Sequence, residues 1–221
     1  MILLDLLRGR YLGVGPSQAL ALASLVTGWP LASRPTDGAE APIESVNVSR
    51  LAARLVAQDL LSDEPRDEPV PAPFERPEAT LQGQHASPDR APITTATLFR
   101  FLKAASKAYL SLRFRSLQSI ATTVSARRQR SASRTSVDKA ALRDAVAVYL
   151  RLRPLAFTVR DKCLFDSLAL LEFLAAEDMH PHWIIGVKAH PFTAHSWVQS
   201  GPLVLNDHHE HVRSYRPILR A

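Results

Sequence analysis

Seven of the sixteen prolines lie in one stretch, residues 63–92, and no other feature constrains the fold as strongly. Each proline removes a backbone donor and restricts its predecessor to extended conformations, which excludes a continuous helix or a central strand. The apolar residues there follow neither the helical nor the strand period, and seven acidic residues outnumber three basic ones. The stretch reads as an extended, semi-rigid linker. It divides the 221-residue chain into a head, residues 1–62, and a body, residues 93–221, and there is no internal repeat.

Charge divides the same way. The head carries five basic and five acidic residues, and the body nineteen basic and nine acidic. A cationic body favours an anionic partner, whether nucleic acid, nucleotide or acidic peptide, without choosing among them. With 46% apolar and 22% charged residues the chain reads as globular and not as a disordered polymer. Its longest apolar stretches, around Leu168–Ala176 and Trp183–Val187, are too short to cross a bilayer. Met1–Leu7 lacks both the basic flank and the cleavage site of a signal peptide. The one cysteine, Cys163, excludes an internal disulfide framework and a multi-cysteine zinc site, and fits a reducing cytoplasm.

In the head, Met1–Leu7 and Tyr11–Val14 are expected to pair as a hairpin, with Gly9 supplying a positive φ in the turn. Gly15-Pro16-Ser17 stops the strand and starts a helix over Gln18–Val26, which Thr27-Gly28 ends. Residues 28–46 read as a loop. A second helix, beginning after Asn47 or Ser49, lines up Leu51, Leu55, Gln58 and Leu61. A unit of roughly sixty residues has little core of its own.

In the body, the periodicity predicts one helix over Thr97–Thr123, a basic loop over Ser125–Ser136, and a helix over Val137–Leu152 capped by Ser136 and ended by Pro154. Cys163–Ala176 is an apolar helix. Trp183–Lys188, Ala194–Gln199 and Leu203–Asn206 read as three strands of an antiparallel meander, the last two joined by Ser200-Gly201-Pro202. Helices leading into such a meander define an α+β fold.

Three residues of the body carry the chemistry. Cys163 stands at a helix start behind Arg160-Asp161-Lys162, where the helix dipole and two cations favour thiolate. The competing account is a buried cysteine used as a small hydrophobe. His195 lies on the second strand, on the side shared with Trp197 and expected to face the helix. Asp207 follows the third strand, and a tight turn sets it level with His195. Together they supply a nucleophile, a base, and a carboxylate that fixes the imidazole tautomer.

The run Cys163-Leu164-Phe165-Asp166-Ser167-Leu168, then Ile185-Gly186-Val187, Pro191-Phe192-Thr193-Ala194-His195-Ser196-Trp197-Val198 and Leu205-Asn206-Asp207, resembles the B proteins of lasso-peptide biosynthesis. These are leader peptidases with a transglutaminase-like, papain-related fold, and the likeness covers roughly residues 140–221. It implies Cys163 as nucleophile, His195 as base and Asp207 as orienting acid. Asp5-Leu6-Leu7-Arg8-Gly9-Arg10-Tyr11-Leu12 and the closing Asp59-Leu60-Leu61 resemble the small winged-helix-like precursor-recognition element fused ahead of some B proteins. The resemblance implies two partners: a ribosomal precursor peptide, bound by its leader, and an asparagine-synthetase-like cyclase that uses ATP to close a macrolactam.

No Gly-rich phosphate loop or kinase signature is present, so no cofactor is expected on this chain. Seven of eight histidines fall between residues 180 and 211, including His208-His209-Glu210-His211, a spacing that can bind zinc but reads first as a solvated loop. Residues 100–134 hold nine Arg or Lys and no acid, the mark of a solvated helix face or of a surface for an anionic partner. Two other functions fit the chain. One is acyl transfer to an amine on the same three residues. The other is a basic module binding nucleic acid, disfavoured because no exposed helix face combines Arg or Lys with Asn or Gln for base readout.

Overall fold

The computed structural model describes residues 1–23, 26, 48–58, 60–61, 74–81, 92–132, 138–157 and 162–221. The chain forms two compact units, one of Met1–Asp5 with Gly9–Pro73, the other of Leu6–Arg8 with Phe74–Ala221.

In the first unit β1 (Ile2–Asp5) and β2 (Arg10–Gly13) form an antiparallel hairpin with Leu3 opposite Leu12, and Gly9 takes the expected positive φ of 63°. Proline at a first helical position loses a donor that has no partner there anyway, so α1 (Pro16–Ala23) begins at Pro16. The Gln18 side chain accepts the Gly15 N–H at 3.1 Å, which closes the helix start. α2 spans Val48–Val56. Val14, Ala19, Leu22 and Leu55 make a small core against which Leu51, Leu60 and Leu61 pack. The expected helix end at Thr27-Gly28, the loop over 28–46 and a cap at Asn47 lie outside the described residues.

The second unit departs from the sequence expectation at its start. Residues 74–81, assigned above to the linker, carry β3 (Ala79–Thr80), which pairs in parallel with β6 (Leu203–Val204). A two-residue edge strand needs few donors, so the flanking Pro77 is compatible with it. The rest of the expected linker, 63–73 and 82–91, lies outside the described residues.

Four longer helices follow: α3 (Thr95–Phe114), α4 (Leu117–Ala132), α5 (Lys139–Ala156) and α6 (Cys163–Ala175). The single helix expected over 97–123 is two. Arg115 turns extended, and Ser116 Oγ accepts the Ser119 N–H at 3.2 Å, starting α4 afresh. α4 then runs through residues expected as a basic loop, because Arg127 bonds Glu172 of α6 at 2.8 Å. Lys107 reaches the same carboxylate and Arg100 pairs with Glu177, so part of the basic stretch is neutralised within the fold. α5 is capped by Asp138; Ser136 lies outside the described residues. Pro154 sits inside the last turn of α5 and not past its end, since only one backbone bond is lost there and the Phe157 N–H still reaches Arg153.

α6 is buried on nearly every side, as a helix apolar all round must be. It packs on α3, α5 and a five-stranded sheet ordered β3-β6-β5-β4-β7. β4 (His182–Ala189) and β5 (Phe192–Ser200) are antiparallel, with Gly186 opposite His195. β7 (Arg216–Arg220), absent from the expected meander, is the other edge and pairs antiparallel with β4. A four-residue helix, α7 (His209–Val212), precedes it. The architecture is α+β. Among the described residues no helix is long and apolar enough to cross a membrane.

Candidate active site

Cys163 is the first residue of α6 and is partly buried. Its thiol lies within electrostatic reach of the His195 ring and of the backbone N–H groups of Ser196 and Leu164, each of which lowers it. Burial alone would raise the thiol; these partners and the charge on His195 outweigh it, and the net shift is downward. The expected help from Lys162 is not among the causes, and Arg160 lies outside the described residues. Among the described residues it is the imidazole, and not Lys162, that favours the thiolate.

His195 Nε2 and Asp207 Oδ2 are 2.5 Å apart. That leaves Nδ1 as the imidazole nitrogen for the thiol. Burial pulls the imidazole down, but its bonds to Asp207 and Cys163 dominate and raise it to about 9. Asp207 moves the opposite way. Burial would raise it, but His195, the His208 N–H and His211 hold it at about 2. The three expected residues are thus brought together.

One orientation differs from expectation. Trp197, on the side of β5 shared with His195, packs with Ile184, Val204 and Val212, beneath Phe74 and Tyr215. α6 contributes nothing to that cluster, so the side is not the one the helix covers. The thiol meets the imidazole because Cys163 is at the helix's open end.

Behind the three residues lies a buried polar network. Asp166, one turn beyond Cys163, accepts Tyr149 Oη at 2.9 Å, Asn206 Nδ2 at 2.8 Å and Arg153 Nη1 at 3.2 Å. Asn206 Oδ1 accepts the Val198 N–H at 2.9 Å. α5, α6 and β5 are so tied to the residue immediately before Asp207. A groove of about 520 Å³ is lined by Tyr109, Leu110, Phe157, Lys162 and Phe165; Lys162 precedes Cys163 and Phe165 follows it by two positions, while the three site residues are not part of the lining.

His211, which in the sequence belongs to a histidine run that reads first as a solvated loop, stands beside the three residues. Its Nδ1 is 3.0 Å from Asp207 Oδ2, and its ring lies 4.8 Å from that of His195. The available signal was the four-residue spacing from Asp207, which matters once α7 is known to be helical. His209 points elsewhere, to Thr80 Oγ1 at 2.7 Å.

A nucleophile at a helix start, an imidazole on the neighbouring strand and a carboxylate beyond the next strand suit acyl chemistry. Residues 102–220 match the transglutaminase-like superfamily model, and the chain belongs to that superfamily. A stretch of 48 residues is 42% identical to the microcin J25-processing protein McjB of Escherichia coli. That match spans 22% of this chain and 23% of McjB. The transglutaminase-like fold implied by the resemblance is borne out. No solved structure matches the chain.

Proposed function

We propose that the protein is a cysteine peptidase that removes the leader from a ribosomally made precursor peptide. The observation that supports this reading is that Asp207 Oδ2 holds His195 Nε2 at 2.5 Å while the same ring lowers the Cys163 thiol. The likeness to a microcin-processing protein supplies the substrate class.

Cys163 thiolate attacks the carbonyl at the leader–core junction. The Cys163 backbone N–H, free of an intrahelical acceptor at the first position of α6, stabilises the oxyanion. His195 then passes its Nδ1 proton to the leaving amine, the new N-terminus of the core, and water drawn through the neutral imidazole releases the leader from the thioester. Asp207 keeps the ring oriented and stabilises the imidazolium. The substrate segment beside the scissile bond lies in the groove of Tyr109, Leu110, Phe157 and Phe165. No cofactor enters the reaction; a separate ATP-using cyclase takes up the freed amine.

In the first unit the β1–β2 hairpin is a two-stranded sheet, an edge to which a leader can add as a further strand. Tyr11→Pro, which breaks β2, should weaken leader binding; unchanged affinity would remove the hairpin from this role.

The reading is tested by incubating the chain with precursor and recording product masses. Separate leader and core, absent with Cys163→Ala, support it. A product joined to an added amine in preference to water would instead make the enzyme an acyltransferase on the same residues.

A further inference from the structure

We propose that His195, Asp207 and His211 form a zinc site that holds the enzyme inactive. The three ligand atoms lie within 4.8 Å of one another, with Asp207 Oδ2 at 2.5 Å from His195 Nε2 and 3.0 Å from His211 Nδ1. Tetrahedral zinc with bonds of about 2.0–2.2 Å sets its ligand atoms roughly 3.4 Å apart, so only small side-chain rotations are needed.

The supporting contacts are those of a prepared site. Asp207 Oδ1 accepts the His208 N–H at 2.6 Å, which leaves Oδ2 for a single metal bond. The His195 ring is held against Trp197 and Tyr215, and the His211 ring stands edge-on to Tyr215 at 5.4 Å. His211 is 47% exposed, which gives an entry path and a fourth position for water. Two imidazoles and one carboxylate select zinc over magnesium or calcium, which take oxygen ligands.

Zinc replaces the proton on His195 Nε2, and that proton leaves to solvent. The ring still carries Nδ1–H toward Cys163. Passing that proton to a leaving amine would now produce a metal-bound imidazolate in place of a neutral imidazole, so the acid step stops. The inhibitory half of the proposal rests on the peptidase reading; the binding half does not.

The experiment is a calorimetric titration of the whole chain with Zn²⁺, repeated with Co²⁺ and read by visible absorption, with precursor cleavage followed in parallel. One ion per chain, a tetrahedral cobalt spectrum and affinity retained in Cys163→Ser are expected. His211→Ala and His211→Phe should each weaken binding at least tenfold and relieve the inhibition of cleavage. No binding at micromolar zinc would overturn the proposal. So would binding lost in Cys163→Ser but kept in both His211 variants, or equal competition by Mg²⁺. Zinc bound with these properties to a chain that cleaves no precursor would leave the site standing and remove the peptidase reading.

Discussion

Asp166 and Asp207 are carboxylates of one unit that differ in everything but residue type. Asp166 is fully buried among Tyr149, Arg153 and Asn206, and burial raises its carboxyl in spite of those partners. Asp207 is partly exposed and is held at about 2, because its partners are an imidazolium, a backbone N–H and a second histidine. The first is a brace whose charge is costly to bury. The second is a charge kept available for work. Asn206 bonds the first and precedes the second, so the brace positions the working group.

The largest expected effect separates working group from brace. Cys163→Ala and His195→Ala should each abolish precursor cleavage, seen by product mass; the melting temperature should stay nearly unchanged in Cys163→Ala and fall in His195→Ala, which gives up the stability of its raised imidazole. His195→Ala should also move alkylation of Cys163 up toward about pH 8.5, the range of an unassisted thiol. Labelling of this variant already at about pH 6 would break the assignment.

Asp207→Asn comes next, with kcat reduced by about 10²–10⁴-fold through loss of the oriented tautomer and a loss of stability on the order of 2 kcal/mol, smaller than that of the Asp166 variant. Asp166→Ala should do the reverse. Arg153, left buried without its carboxylate and keeping the Asn206 carbonyl at 3.2 Å, costs about 3–5 kcal/mol, read by urea denaturation, and kcat of the folded protein falls less than in the Asp207 variant. Equal effects of the two substitutions on stability would erase the distinction.

The pH dependence of folding sharpens the contrast, because the two carboxylates act with opposite sign. Asp207 is lower in the folded chain than the about 3.9 of an unfolded one. Its contribution is complete above that value and is lost as pH falls toward about 2, an effect on the order of 2 kcal/mol. Asp166 is raised, so its contribution is present below about 3.9 and is lost as pH rises through its folded value. His195, raised to about 9, stabilises fully below about 6.5 and loses this as pH rises through about 9. Urea titrations of Asp207→Asn and Asp166→Asn across acid pH should therefore change slope in opposite directions. The smallest effect belongs to a partly exposed ion pair: Lys107→Ala, which leaves Arg127 on Glu172, should change stability by about 0.5 kcal/mol.

The legible parts of the molecule were those whose pattern is local. α6 declares itself by an apolar run interrupted only by Asp166, Ser167 and Glu172, β4 and β5 by their residue types, and the Gly9 turn by its position between two short strands. Cys163, His195 and Asp207 could be found because each sits at the end or in the middle of such an element. What escaped depends on distant partners. β3 is two residues in a proline-rich stretch and exists through β6, more than a hundred positions away. β7 begins Arg-Pro, ends in Arg and pairs only with β4. The end of α4 is polar and basic, and it finds its acid on α6. His211 lay in a run of histidines whose spacing meant nothing until α7 gave it a direction.

The stack of His195 on Trp197, rings 6.1 Å apart and 18° from parallel, makes the site its own optical probe. A protonated imidazole beside an indole accepts an electron from the excited ring and darkens it; a neutral one does so far less. Trp197 emission in a background with both Trp29→Phe and Trp183→Phe would then brighten as His195 loses its proton. The ionisation of the dyad could be followed in light, with no substrate, label or partner added.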